Sequence, residues 1–288
     1  MPPYPSMVMI DTTTRCNLAC KHCPNSKLSK HPGYIGDMDV SLYKKIICEI
    51  AQESKKTIVR PFDGGEPFMR KDIEELIKYT KDKGIEYVSI NTNGLLITPE
   101  RCEKILDSKL DHIEISIDAS SPETYLLIRR SPHYNKLIKN IDYLNNMRVT
   151  KNSSLKITVS FVKQRENLKE ERSFFSLWRN KVDRVYIREY HQHNRWIDGN
   201  EKKKKRTESD RYPCPYLWER LIINHNGKVR FCESDWKTEQ TVVGDIRKQS
   251  IKEIWLGDLY QQVRRSHLDR IFEHPFCINC SDWQEIKW

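Results

Sequence analysis

Through residue 190 the chain alternates short apolar, β-branched runs with longer stretches whose apolar residues recur at helical spacing. The short runs predict strands over residues 7–11, 57–62, 87–92, 112–118, 155–162 and 184–190. The longer stretches predict helices over 40–53, 71–83, 99–108, 134–147 and 169–181. Thr98-Pro99 and Ser121-Pro122-Glu123 carry helix-start chemistry, with proline in the first turn. Strands separated by helices of this length imply βαβ units with right-handed crossovers and a parallel sheet. Six units are too few to close an eight-stranded barrel. The expected fold is α/β, a partial (β/α)6 TIM-like barrel, with its chemistry at the C-terminal ends of the strands.

Beyond residue 190 the pattern changes. Residues 191–213 read as a loop on the substrate side, and it contains the basic run Lys202 to Arg206. Residues 214–288 read as a smaller α+β unit. Its hairpin signal runs over residues 222–229 with Asn226-Gly227 at the turn, and helical patterns follow over 250–256 and 258–266. The expected division is thus 1–190, 191–213 and 214–288.

Composition narrows the class. Of 288 residues, 38% are hydrophobic and 10% aromatic, which is globular rather than disordered. No apolar stretch approaches the roughly 18 residues of a membrane span, and Met1-Pro2-Pro3-Tyr4-Pro5 has no signal-peptide pattern. A cytoplasmic protein is expected, with no membrane contact. The nine cysteines then point to metal sites rather than disulfides.

Their spacing sorts them. Cys16, Cys20 and Cys23 form a CxxxCxxC run just after the first strand. Cys214, Cys232, Cys277 and Cys280 fall in the last quarter of the chain, while Cys48 and Cys102 sit inside helical patterns as small apolar residues. Four thiolates complete a zinc site or an iron–sulfur cluster; three leave one metal position open, as a reactive centre requires. The next three strands also end in polar or glycine-rich sequence: Gly64-Gly65-Glu66-Pro67, Asn91-Thr92-Asn93-Gly94 and Ser116-Ile117-Asp118. Each alone is ordinary turn chemistry; together they place polar groups on one rim.

CxxxCxxC with His22 before its third cysteine, followed by Gly-Gly-Glu-Pro, resembles the radical SAM enzymes. That resemblance implies that Cys16, Cys20 and Cys23 hold a 4Fe–4S cluster whose open iron chelates S-adenosylmethionine. Reductive cleavage of this cofactor yields a 5′-deoxyadenosyl radical. It further implies that Gly64 and Gly65 let backbone approach the cofactor and that Glu66 meets its amino group. Ser116 and Asp118 would lie near the ribose, Arg129 by the methionyl carboxylate, and Asn93 and Val159 on the strand-end shelf. Cys214, Gly227, Cys232, Cys277 and Cys280 are similar to the twitch domain, a shortened SPASM domain, and imply a second, fully ligated auxiliary 4Fe–4S cluster. A four-cysteine zinc site accepts the same ligands.

Within the superfamily the layout resembles the dehydrogenases of aminoglycoside biosynthesis, down to Asn194-Arg195 followed by Gly199. The expectation is therefore an oxidoreductase that removes hydrogen from a carbinol carbon of a small polyol or sugar-like substrate, the auxiliary cluster accepting the second electron. Arg195 would face the developing alkoxide, and His191 and His193 are base candidates because histidine titrates near neutral pH. The alternative is a maturase that crosslinks or epimerises a ribosomal peptide. The formal net charge of +10 suits docking of an acidic flavodoxin- or ferredoxin-type electron donor. Lys202 to Arg206 fits either a solvated loop or a phosphorylated or nucleotide-linked substrate. No aromatic residue is interleaved with the lysines, so nucleic acid is not expected.

Overall fold

In the computed structural model, which describes residues 2–31, 33–190, 211–235, 239–278 and 280, six strands run parallel in chain order. β1 (Met7–Ile10) pairs with β2 (Ile58–Arg60). β3 (Ser89–Thr92), β4 (His112–Ser116), β5 (Lys156–Val162) and β6 (Arg184–Arg188) form a second row. A parallel bridge between Val59 and Val88 joins the rows into the wall of a partial barrel.

Helices separate the strands: α1 (Asn25–Leu28), α2 (Val40–Glu53), α3 (Ile73–Asp82), α4 (Pro99–Asp107), α5 (Pro122–Arg129), α6 (Tyr134–Thr150) and α7 (Glu171–Trp178). Their starts follow capping chemistry. The Thr98 and Ser121 hydroxyl oxygens accept the N–H groups of Arg101 and Thr124, and Pro99 and Pro122 occupy the first turns. The expected helix over 169–181 begins as a 3-10 turn, Leu168–Glu170, and ends at Trp178.

Each strand presents two unlike faces. Ile113, Ile115, Ile157, Val159 and Phe161 are fully buried in the core between strands and helices. Their neighbours Glu114, Ser116, Thr158 and Ser160 alternate with them and turn to the barrel lumen.

The C-terminal segment carries α8 (Tyr216–Glu219), β7 (Arg220–Ile223), β8 (Lys228–Arg230), β9 (Val242–Asp245), α9 (Ile251–Leu256), α10 (Asp258–Leu268) and α11 (Pro275–Ile278). The hairpin expected at Asn226-Gly227 is β7–β8, and Gly227 has φ 86°, a left-handed conformation that glycine adopts without strain. Sequence alone places this hairpin in a separate unit. In the structure β7 pairs in parallel with β1, from Met7 opposite Arg220 to Ile10 opposite Ile223. The sheet order β2-β1-β7-β8-β9 extends the barrel wall directly. The physical reason is the bare edge of β1, whose backbone groups need partners once the other edge is paired with β2. Trp255 fastens the same unit to the chain start, donating its indole N–H to the Pro2 carbonyl at 2.9 Å. Among the described residues no helix is long and apolar enough to cross a membrane.

Ile115→Ala removes a side chain with no solvent exposure from between β4 and the helices. A loss of about 2–5 kcal/mol is expected in urea unfolding. Val149→Ala, at a position 69% exposed, is expected to stay within about 0.5 kcal/mol of the parent.

Candidate functional site

The loop leaving β1 brings Cys16, Cys20 and Cys23 to the wall of a cavity of about 270 Å3, with Gly64, Gly65, Glu66, Asn93, Ser116 and Arg129 around it. Strand ends supply these residues, as the parallel arrangement requires. Glu66 is 2% exposed. One carboxylate oxygen accepts the Thr92 hydroxyl at 2.7 Å and the Phe68 N–H at 3.2 Å; the other accepts the Asn93 N–H at 2.7 Å. Burial pushes this carboxyl above its usual range, and those three donors pull it back. The carboxylate is thereby fixed in place, facing the cavity.

Gly65 has a role the sequence reading assigned to cofactor approach. A Cβ there would lie 2.1 Å from the Thr13 carbonyl oxygen and 2.7 Å from that of Arg15. The cysteine loop itself fills the space, and the Glu66 N–H donates to the Arg15 carbonyl at 2.8 Å. Gly64 lines the cavity and donates its N–H to Asp11 at 3.3 Å.

Asp118 departs from the expectation. It is fully buried beneath the rim with φ 64°, and it is not among the cavity-lining residues. It accepts the Val162 N–H at 2.8 Å and sits 2.6 Å from an Arg129 guanidinium nitrogen. Burial raises its carboxyl pKa, and Arg129 opposes that rise. Asp118 thus positions Arg129, whose other terminal nitrogen lies 3.7 Å from the Cys20 sulfur and whose buried Nε has no partner. That idle donor beside three thiols suits an anionic cofactor group. Val159 also departs: its side chain lies on the helix face of β5, while Ser160 and Val162 line the cavity. The two-residue period of a strand is the reason. His191, His193, Arg195 and Lys202 to Arg206 lie outside the described residues.

The four late cysteines line a second, largely apolar pocket together with Tyr216, Phe231, His267 and Phe276. Cys214, from the segment before α8, donates its N–H to His267 Nδ1 at 3.1 Å; His267 Nε2 lies 3.3 Å from the Cys277 sulfur. Burial drives the thiols upward, to about 12 for Cys23, Cys214 and Cys277 and about 11 for Cys16. Buried this way the groups stay protonated, and a bound metal cation would displace those protons and compensate the resulting thiolate charge. Among the described residues no three His, Cys, Asp or Glu side chains converge on a single-ion position. An iron–sulfur cluster asks for no such point, because it spreads its thiolate ligands over several irons.

The sequence reading missed Ser160 and Arg188, which line the first cavity beside Asn91 of the expected strand-end run. The signal was present as alternation: His-Ile-Glu-Ile-Ser in β4 and Arg-Val-Tyr-Ile-Arg in β6. A parallel strand covered on both faces reads as continuously apolar. Strict alternation therefore marks a wet lumen. A neighbouring polar cavity of about 180 Å3 lies between Asp11, Asp63, His225 and Arg230. Arg230 pairs with Asp63. Burial and the Asp63 charge push Asp11 up to about 8.

Gly65→Ala is expected to displace the cysteine loop. Iron bound through Cys16, Cys20 and Cys23 should fall at least severalfold in reconstituted protein, while far-ultraviolet circular dichroism stays unchanged. Because the raised Asp11 pKa lets the folded state hold a proton that the unfolded chain releases near pH 4, its contribution to stability fades as pH rises toward 8. Asp11→Asn is expected to flatten the fall in urea midpoint between pH 5 and 8.

A family model of the radical SAM superfamily matches residues 10–172, and a model of the SPASM iron–sulfur cluster-binding domain matches residues 214–281. The AdoMet-dependent heme synthase of Nitratidesulfovibrio vulgaris is 30% identical over 176 residues, 61% of this chain and 45% of that protein. The PqqA peptide cyclase of Bradyrhizobium diazoefficiens is 31% identical over 164 residues, 57% of this chain and 40% of that protein. The chain thus spans less than half of these relatives. The crystal structure of BtrN, a 2-deoxy-scyllo-inosamine dehydrogenase, in complex with AdoMet and 2-DOIA superposes with a TM-score of 0.67 at 18% identity, covering 98% of this chain and 94% of that one. Streptococcus suis SuiB bound to precursor peptide SuiA gives 0.71 at 18% identity, covering 91% and 67%. The chain belongs to the radical SAM superfamily and carries a C-terminal SPASM-type iron–sulfur domain.

Proposed function

We propose that the protein is an S-adenosylmethionine-dependent dehydrogenase that oxidises a carbinol carbon of a small polyol or sugar-like molecule to a ketone. The observation that supports this reading is the electrostatic link between the cavities that hold the two cysteine sets. Arg188 lines the three-cysteine cavity, and its charge interacts with Glu233 and Tyr216, which line the four-cysteine pocket. When bound, S-adenosylmethionine and the Cys16, Cys20 and Cys23 cluster supply hydrogen abstraction. Cys214, Cys232, Cys277 and Cys280 would hold an auxiliary 4Fe–4S cluster, which would supply an acceptor for the electron left on the substrate when its hydroxyl proton goes to the base.

The chain's own residues bind and orient. Glu66 and Arg129 hold opposite ends of an amino-acid group, by charge-assisted hydrogen bonds. Ser116 and Asn93 present polar atoms at the same rim. Ser160 and Asn91 offer hydroxyl and amide partners for a hydroxylated substrate in the lumen. His191 or His193 takes the hydroxyl proton, and Arg195 faces the developing alkoxide. An acidic flavodoxin or ferredoxin supplies the first electron, docking on the basic surface.

Anaerobic reconstitution is expected to load about eight irons, two clusters of four. Cys16→Ala should lose about half of them and all 5′-deoxyadenosine formation. With a substrate deuterated at the carbinol carbon, deuterium should appear in 5′-deoxyadenosine alongside a ketone. Deuterium transfer from a peptide, with a crosslinked or epimerised product and no ketone, would establish the maturase alternative instead.

A further inference from the structure

Arg60 ends β2 and Arg188 ends β6, on opposite sides of the barrel opening. Strand alternation puts Arg60 on the face opposite the buried Val59, where it donates to Asn91 Oδ1 at 3.2 Å and stacks 4.7 Å from the Phe62 ring centre; Asn91 and Phe62 both line the three-cysteine cavity, so Arg60 stands directly behind its wall. Arg188 reaches across to ion-pair with Glu114 on β4. Arg220 on β7 spends its charge on Glu233 at 2.8 Å. Arg60 alone of the three forms no ion pair among the described residues; its partner Asn91 is neutral. The Nε atoms of both Arg60 and Arg188 are buried and have no hydrogen-bond acceptor.

These groups are costly as they stand. A buried donor without an acceptor loses its hydration and gains nothing in return. Burial and the like charge of Arg60 push Arg188 down to about 10, so both guanidinium groups stay charged at neutral pH. A neutral polyol would leave the excess positive charge and the idle N–H groups in place. An oxyanion satisfies both, since guanidinium groups match carboxylate and phosphate geometry.

We infer that Arg60 and Arg188 form an oxyanion subsite in the lumen, so that the substrate is a small hydroxylated molecule carrying a phosphate or carboxylate. This rests on the dehydrogenase reading above and adds the charge of its substrate. Arg60 is the specificity-determining residue, because among the described residues no carboxylate lies within ion-pair distance of it and Glu233 and Asp63 act on its charge only from farther away. The anion anchors one end of the substrate below the rim and leaves a carbinol carbon facing the three cysteines.

The test uses reconstituted protein saturated with S-adenosylmethionine, so that Arg129 is already engaged. Inorganic phosphate and acetate are titrated separately by calorimetry. At least one anion is expected to bind the parent, and Arg60→Gln should weaken it about tenfold, the factor that one lost charge-assisted hydrogen bond gives. Tighter phosphate binding assigns a phosphorylated substrate; tighter acetate binding assigns a carboxylated one. Asn91→Asp keeps the arginine but supplies a carboxylate beside it, and should abolish binding even where Arg60→Gln does not fold. Failure of both anions to bind the parent, or unchanged binding in Asn91→Asp, overturns the subsite. Formation of 5′-deoxyadenosine in the same samples reports separately on the radical reading, so the two failures are distinguishable.

Discussion

The geometry of the site depends on a four-residue strand that is hydrogen-bonded along both edges. β1 holds β2 on one side and β7 on the other. The loop that leaves β1 carries Cys16, Cys20 and Cys23. The segment that enters β7 carries Cys214, and the hairpin after it delivers Cys232. Two cysteine sets separated by nearly 200 residues of chain are therefore related by one short backbone ladder. The Asp11 N–H extends that ladder to the Ile223 carbonyl at 2.8 Å. A slip of one residue in β7 would reverse its two faces and pull Arg220 away from Glu233.

Around this frame, the site is built from groups that are unfavourable on their own. Thiols are buried beyond the range in which they ionise, Glu66 and Asp118 are carboxyls under the surface, and Arg129 and Arg60 each keep an idle N–H. The barrel can hold them because its other face is saturated with aliphatic contacts. Each fully buried Ile or Val there contributes about 1.5–3 kcal/mol. The resulting polarity is preorganised: Glu66 and Arg129 are already held by backbone donors and by Asp118, so binding costs little further ordering.

The parallel (β/α)6 order and the seven clustered cysteines were legible in the sequence because both rest on local patterns, a period of two or 3.6 and a fixed spacing. Strand ends were less legible. Asp118 looked like a rim residue by its distance along β4, but its left-handed φ turns it beneath the rim to hold Arg129. Gly65 lines the cavity as the sequence suggested, but its second constraint, the Thr13 carbonyl, is brought close only by the tertiary fold. The β1–β7 pairing carries no local signal at all, since any apolar strand reads alike before its partner is known. Arg60 and Arg188 were hidden for a different reason: arginine at a strand end usually signals solvent, and only barrel closure turns it inward.

The same β1–β7 pairing sets an order of events during synthesis. Met7 leaves the ribosome more than 200 residues before its partner Arg220. At about 5–20 residues per second, one edge of the first strand stays open for on the order of ten seconds or more. An open edge strand invites pairing with other chains. Throughout that interval the first three cysteines are already exposed to metal delivery, whereas Cys232, Cys277 and Cys280 are not yet made. The first cysteine set is thus complete on the growing chain long before the second, and synthesis first supplies the partner that covers the edge of β1 and only afterwards Cys277 and Cys280.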